Sequence, residues 1–340
     1  MIHLQARIEN ADVVARGTDG YEWGSRIERS EFLLLGHVCP FTDTIFNGWQ
    51  VESLLEELAR APAVCVGEWD SEARQNSTGA GPLSWNVATG LDDDQLTGLV
   101  GRVHQALREN PDTLQPDRMW ALGLFRSVVL VLYLLRQNPV QEAAAELFGI
   151  SQATVSRRWT TLLPLVEKVL AEHVPDSAAA SAGRVVLVDG TLVPTWDWAS
   201  EGTSMFSGKH RDTGFNLQIA ATLAGELLAV SSPVPGSQHD TYAWRQSHFP
   251  QAFTDRESIG DLGYIGTGML TARRKPSGQE RPKADKVFNQ SISTLRAAVE
   301  RAIAHLKEWK ILATRYRGPL PTFPHIVKTI TALTFYKKGW

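Results

Sequence analysis

This sequence has little cysteine and no apolar run long enough to cross a membrane. Its two cysteines, Cys39 and Cys65, cannot build a disulfide framework or a four-ligand zinc site, so a reducing interior is expected. The most apolar stretch, residues 119–135, is interrupted by Arg126 and Ser127, which predicts a buried core helix instead of a membrane span. The first residues, "MIHLQARIEN", lack the basic and apolar regions of a signal peptide. We therefore expect a cytoplasmic protein without a membrane partner.

Charge is unevenly distributed along the chain, although the net charge is only −3. Residues 1–88 carry 6 Lys and Arg against 13 Asp and Glu, whereas residues 184–340 carry 20 against 13. A basic C-terminal part is compatible with a polyanionic partner such as DNA, but charge alone does not identify one.

The first half of the chain divides by pattern into three parts. Residues 1–65 predict a small α+β segment of unknown role, with strand-like alternation followed by the helical pattern "GWQVESLLEELARA". Residues 66–88 are rich in Gly, Ser, Asn and Thr and predict a linker. Residues 89–175 predict an all-α domain that begins at the acidic triplet "DDD", because carboxylates favour a helix N-terminus. A small-residue stretch, residues 176–183, predicts a hinge.

Residues 138–163 have the pattern of a helix-turn-helix motif. Gly149 can adopt the positive φ of the turn, and Ser151 can cap the second helix. The second helix would then present four side chains to the bases and phosphates of DNA: Gln152, Thr154, Arg157 and Arg158. A plain helical hairpin in a bundle is the alternative interpretation.

Three carboxylates in residues 184–340 are candidates for a metal site. Asp189 follows the apolar run "VVLV" and Asp261 follows "SIG", so both are expected at strand ends of a mixed α/β sheet. Glu300 lies in the amphipathic pattern "VERAIAHLKEW" of a late helix. Oxygen ligands of this kind suit two Mg²⁺ or Mn²⁺ ions that catalyse phosphoryl transfer. Taken singly, each residue also fits an ordinary turn or a solvated helix position.

The stretches "VVLVDGTLVPTW", "SGKHRDTGFNLQIAATLAGELLAVSSPVPGSQHD", "GDLGYIG" and "VERAIAHLKEWKIL" resemble the DDE transposases of the insertion-sequence and Harbinger-like group. The resemblance covers about residues 84–340. It implies a ribonuclease-H-like catalytic domain in residues 184–340, preceded by the helix-turn-helix domain. It also implies that Asp189, Asp261 and Glu300 form the acidic triad of that domain.

Further residues match positions of that family. Arg296, Glu300 and Lys307 fit a signature of Tyr, Arg, Glu and Lys on one helix, although Ser293 stands at the tyrosine position. Asp240 in "PGSQHD" is a further candidate metal ligand, with a helix-capping role as the alternative. The loop residues Lys209, His210 and Arg211 suit phosphate contacts, as do Arg296 and Lys307, with a solvated loop as the alternative for the first three.

The sequence thus predicts a transposase that binds double-stranded DNA at element ends, cleaves it with two Mg²⁺ or Mn²⁺ ions, and transfers the strand to a target. A homodimer on DNA is expected, because two ends must be cut together. Neither a small-molecule substrate nor an organic cofactor is expected, and the site of action would be the nucleoid. The first alternative is a transposase-derived DNA-binding protein without catalytic activity. A nuclease that cuts without joining is the second.

Overall fold

The computed structural model describes residues 85–109, 122–196, 201 and 203–338, together with the backbone of three N-terminal strands. Two compact units make up the chain, Met1–Pro62 and Ala63–Trp340. The helix predicted within residues 48–61 lies outside the described residues, as does most of the predicted linker. At the end of that linker, Asn86–Thr89 forms a one-turn helix.

The N-terminal strands form an antiparallel sheet. They are β1 (Gln5–Glu9), β2 (Asp12–Arg16) and β3 (Glu22–Arg26), in the order β1-β2-β3. β2 pairs with both β1 and β3.

Two long helices open the second unit, α1 (Asp93–Glu109) and α2 (Leu124–Gln137). Asp92 caps α1: its carboxylate accepts a hydrogen bond from the Gln95 amide at 2.8 Å, and the Gln95 side chain accepts from the Asp92 amide at 3.2 Å. Most apolar side chains of α2 are buried, which agrees with the predicted core helix. Among the described residues, no helix is both long and apolar enough to span a bilayer.

The predicted helix-turn-helix is built from α3 (Gln141–Phe148) and α4 (Gln152–Leu170). Gly149 ends α3 with φ 66° and ψ 36°, a left-handed conformation in which a side chain would be strained. Ser151 caps α4 by accepting a hydrogen bond from the Thr154 amide at 3.2 Å. Val155 is fully buried between the helices. The turn chemistry predicted from the sequence is therefore confirmed.

A mixed six-stranded sheet follows. Its strands are β4 (Val186–Pro194), β5 (Phe206–Ser207), β6 (Asp212–Ala221), β7 (Leu227–Val230), β8 (Val234–Pro235) and β9 (Ser258–Ile259). The main path runs β5-β6-β4-β9, and β7 and β8 also pair with β6. All pairs are antiparallel except β4 with β9, which is parallel. The predicted mixed sheet is confirmed.

Helices cover the sheet, and the alternation of side chains along β4 assigns its two faces. Val186 and Val188 pack in an apolar cluster with Trp244 of α5 (Asp240–Gln246). The odd-numbered face meets α6 (Lys283–Leu306), which packs on β4 and β6. The last helix, α7 (Phe323–Lys338), packs on α4 and so joins the helix-turn-helix to the sheet-containing part. One-turn helices lie at Ser177–Ala180, Phe249–Ala252 and Lys310–Ala313.

Candidate active site

Asp189 lies in the interior of β4, not at its end as the sequence predicted. The strand continues to Pro194 because its backbone stays paired with β6 past Gly190. One carboxylate oxygen accepts a hydrogen bond from the Gly190 amide at 2.9 Å, and the other accepts from Nη2 of Arg296 at 3.0 Å. Burial raises the pKa of the Asp189 carboxyl; the Arg296 guanidinium opposes this rise, and the charge of Asp261 adds to it.

Asp261 lies just after the end of β9, as predicted, with Gly260 between them. Parallel pairing places Ile259 beside Leu187, so Asp261, two residues further on, arrives at the level of Asp189. Its Oδ1 accepts a hydrogen bond from the Gly263 amide at 2.7 Å and thereby caps a short 3₁₀ turn, Leu262–Tyr264. The two aspartates are close enough for the charge of one to raise the pKa of the other.

Asp240, the first residue of α5, brings a third carboxylate to the same region. Glycine at position 190 leaves room for this approach, since a Cβ there would overlap Oδ1 of Asp240. Oδ1 accepts a hydrogen bond from Nδ2 of Asn216 at 3.1 Å, and Oδ2 accepts from Nζ of Lys209 at 3.0 Å. The Asp240 carboxylate is therefore held against the sheet and the Lys209 loop, which goes beyond the capping role considered from the sequence.

Lys209 places its ammonium between these carboxylates. Nζ lies 3.0 Å from Asp240 and 3.7 Å from Asp261, although the lysine side chain is 56% exposed. Burial alone would lower the pKa of Lys209. The hydrogen bond to Asp240 and the charges of Asp240, Asp261 and Asp189 outweigh burial, so the pKa of Lys209 is raised. The ammonium thus remains charged and occupies the place where cationic charge is best stabilised.

The neighbouring loop residues His210 and Arg211 are exposed between β5 and β6. Arg211 has φ 53°, a left-handed conformation that is rare for a residue with a side chain. Burial and the Lys209 charge both lower the pKa of His210, so its imidazole is neutral near pH 7. The phosphate contacts of His210 and Arg211 stay a prediction.

Arg296 and Glu300 lie in α6, and Lys307 is the residue that follows its end; the surroundings of the three side chains differ. Arg296 binds Asp189, and Nζ of Lys307 donates a hydrogen bond to the carbonyl oxygen of Leu192 at 3.0 Å. Burial lowers the pKa of Lys307. Glu300 is exposed one turn after Arg296. Arg296 and Lys307 therefore both contact β4, and Glu300 lies between them in the sequence.

The donor set suits a hard divalent cation, because carboxylate oxygens from three elements converge on an ammonium. Within residues 85–109, 122–196, 201 and 203–338, however, no three Asp, Glu, His or Cys side chains are close enough together to enclose a metal ion. Asp240 and Asp261 lie beside the Lys209 ammonium and the charge of Asp189 acts on it, whereas Glu300 is not in this group. The ligand chemistry fits, but the ligand cage is not assembled.

The predicted DNA-reading residues of α4 do not share one environment. Gln152 and Arg157 are exposed; Nη2 of Arg157 donates to Oγ1 of Thr154 at 3.0 Å, and Nε2 of Gln152 donates to Oε1 of Gln141 at 2.6 Å. Arg158 is only 5% exposed, so its predicted presentation to DNA is wrong. The helical period explains the difference, since position 158 falls on the inward face that also buries Val155.

Three buried polar residues near Asp240 were not predicted from the sequence to belong to the site. They are Asn216, Gln218 and Tyr264, and the first two face the same side of β6. The available signal was the spacing of two amide side chains within the otherwise apolar "FNLQIAA". Polar residues two apart on a buried strand face indicate a hydrogen-bonded network instead of simple packing.

Comparison with known proteins follows the same division of the chain. Residues 188–334 match a family described as DDE superfamily endonuclease, and residues 120–172 match the helix-turn-helix of DDE superfamily endonuclease. The chain is similar to the transposase assigned to insertion sequence element IS112 of Streptomyces albus G, with 31% identity over 226 residues. That match covers 66% of this chain and 83% of the relative. No solved structure matches the chain.

Proposed function

Because this chain belongs to the DDE-superfamily transposases, we propose that it cuts DNA at the ends of a mobile element and joins them to a target. The observation that carries the proposal is that Asp240 and Asp261 both lie at the ammonium of Lys209, and the charge of Asp189 also acts on that ammonium. Side chains from three separate elements would not concentrate negative charge here for stability alone, since like charges repel. We further propose that the mixed sheet is a ribonuclease-H-like catalytic domain.

Asp189 and Asp261 would be the central ligands of the site, with Asp240 beside them. The DDE superfamily generally uses divalent metals. Two Mg²⁺ or Mn²⁺ ions bound here would supply Lewis-acid stabilisation of the attacking and leaving oxygens of an in-line displacement. Arg296 would hold the Asp189 carboxylate in place through their 3.0 Å contact. Lys209, whose side chain is half exposed, would leave the carboxylates and turn toward a DNA phosphate.

Glu300 would complete the set only after a rearrangement. Its position on α6 lies between two residues that contact β4, so a change of side-chain rotamer is the simplest movement that brings its carboxylate toward Asp189. Arg296 carries further N–H donors besides the one that binds Asp189, so it would contact a DNA phosphate while it holds that carboxylate. In this account, Arg296 and Lys307 contact DNA after the ligands are assembled.

The chemistry would be two phosphoryl transfers at one site. In the first, water attacks the phosphorus at the element end, the bond to the 3′ oxygen breaks, and a 3′-OH is released. In the second, that 3′-OH attacks a target phosphate and displaces a second 3′ oxygen. The exposed face of α4, with Gln152, Thr154 and Arg157, would bind the element end, and two copies of the chain would hold two ends.

An assay with labelled element-end DNA, a target plasmid and Mg²⁺ tests the proposal. Wild-type protein is expected to release the end and to produce labelled plasmid, whereas Asp189→Ala is expected to bind the end but form neither product. Full cleavage by Asp189→Ala would refute the assignment. Binding without any cleavage by wild type would favour a DNA-binding protein that has lost catalysis, and released ends without joining would favour a nuclease.

A further inference from the structure

Three buried polar side chains form a continuous hydrogen-bonded chain that ends at Asp240. The Tyr264 hydroxyl donates to Oε1 of Gln218, and Nε2 of Gln218 donates to Oδ1 of Asn216 at 3.1 Å. Nδ2 of Asn216 then donates to Oδ1 of Asp240 at 3.1 Å and to the carbonyl oxygen of Gln238 at 3.2 Å. Tyr264 and Gln218 are fully buried, and Asn216 is 9% exposed.

The donor and acceptor order of this chain is set at its carboxylate end, because a tyrosine hydroxyl can both donate and accept. An ionised carboxylate can only accept, so it requires the Asn216 amide nitrogen to face it. The Asn216 oxygen must then accept from Gln218, whose own oxygen accepts from the tyrosine hydroxyl. Reversing either amide would place two acceptors or two donors in contact within a buried region, which is costly. The chain therefore defines one rotamer for each member.

The two oxygens of Asp240 have different partners. Oδ1 is bound by Asn216 on the sheet side, whereas Oδ2 faces Lys209 and the neighbouring Asp261. The register of β4 and β6 pairs Gly190 with Gln218, and a Cβ at position 190 would also come within 3.2 Å of Nε2 of Gln218. Backbone, amide chain and carboxylate are thus packed against one another without space for another orientation.

We propose that Tyr264, Gln218 and Asn216 are positioning residues that fix Asp240 through Oδ1 and leave Oδ2 directed into the site to bind a divalent cation. This inference rests on the proposed function, because it assigns the purpose of a buried polar chain to the chemistry of Asp240. Apolar residues at these three positions would fill the strand face more simply. Buried polar networks are costly unless every member is satisfied, so one that leads to a single carboxylate indicates a role for that carboxylate.

The test compares Tyr264→Phe with a matched control, Tyr316→Phe. Both hydroxyls belong to buried tyrosines, but the Tyr316 hydroxyl donates to the Pro319 carbonyl oxygen at 2.9 Å, away from the chain. Each variant is assayed for thermal unfolding, for Mn²⁺ affinity by calorimetry without DNA, and for single-turnover end cleavage. Gln218→Leu, which removes the middle link, serves as a second variant if Tyr264→Phe does not fold.

Tyr264→Phe is expected to weaken Mn²⁺ binding about 10-fold and to slow cleavage by a similar factor, in the range found for outer ligands of metal sites. Tyr316→Phe is expected to leave both quantities within about twofold of wild type, whatever it costs in stability. Unchanged Mn²⁺ affinity and cleavage in folded Tyr264→Phe or Gln218→Leu would overturn the inference while leaving the proposed function intact. Wild-type protein that neither binds Mn²⁺ nor cleaves would overturn both.

Discussion

Arg296 of α6 donates a hydrogen bond to Asp189 of β4 at 3.0 Å, and this contact ties the late helix to the central strand of the sheet. Both side chains are largely buried, with 21% and 14% exposure. The contact gives Asp189 a partner that favours its ionised form in a region where burial disfavours it. The position of the Asp189 carboxylate therefore depends on a helix that is far from it in sequence.

Replacing Arg296 with Gln should slow end cleavage by about 10-fold to 100-fold, because an outer partner of a ligand is removed. The pH dependence should change as well. Ligand function requires ionised Asp189, so cleavage falls as the pH drops through its raised pKa. Without Arg296 that pKa rises further, and the acidic limb of the pH–rate profile should move to higher pH. Arg296→Lys keeps a positive charge, so it should move the acidic limb less. If the acidic limb of Arg296→Gln stayed where it is in wild type, this electrostatic role of Arg296 would be contradicted.

Gly190→Ala should impair cleavage because the new Cβ would overlap Oδ1 of Asp240. Overpacking of this kind costs about 1–3 kcal/mol and here displaces a carboxylate of the site. The control is Gly208→Ala in the Lys209 loop, where a Cβ meets open space within the described part of the structure. Thermal unfolding and single-turnover cleavage are measured for both. Equal activities would show that the close approach of Asp240 is not needed.

Arg157→Ala and Arg158→Ala should separate DNA contact from folding. Arg157 is exposed, so its loss should weaken end binding and reduce the slope of log affinity against log salt by about 1. Arg158 is buried, so its loss should lower the free energy of unfolding by about 0.5–3 kcal/mol instead. Gel-shift titrations at several salt concentrations, alongside urea unfolding, measure both effects. If Arg158→Ala weakened DNA binding and Arg157→Ala lowered the free energy of unfolding, α4 would contact DNA through a different face.

Much of this organisation could be predicted from local sequence chemistry. Gly149 and Ser151 predict their turn and cap correctly, because positive φ and N-capping are properties of the single residue. Asp261 was also placed correctly, since the glycines around it end a short strand.

Features that depend on strand pairing or helix packing could not be predicted from local sequence. Asp189 was expected at a strand end because it follows the apolar run "VVLV", but pairing with β6 continues the strand through Asp189 and Gly190. The Asn216 and Gln218 network depends on which strand face meets α5, and Arg158 depends on the rotation of α4 against its neighbours. Tertiary packing fixes these orientations, and residue type alone does not.

Glu300→Gln tests the proposed rearrangement on α6. The exposed carboxylate should be required for cleavage, so the variant is expected to lose about 100-fold in rate while still binding the element end. Glu280→Gln, an exposed residue before α6, is the control and should behave as wild type. Single-turnover cleavage is measured for both variants. Wild-type rates in Glu300→Gln would remove Glu300 from the ligand set and leave the three aspartates.

The most direct test of the central claim measures Mg²⁺-dependent end cleavage by Asp189→Asn and Asp261→Asn, with the exposed Asp255→Asn as control. The substitutions keep side-chain size while removing one negative charge. The first two variants are expected to bind element ends with wild-type affinity but to release no cleaved end at any Mg²⁺ concentration, while Asp255→Asn is expected to cleave normally. Cleavage at the wild-type rate by either site variant would contradict it.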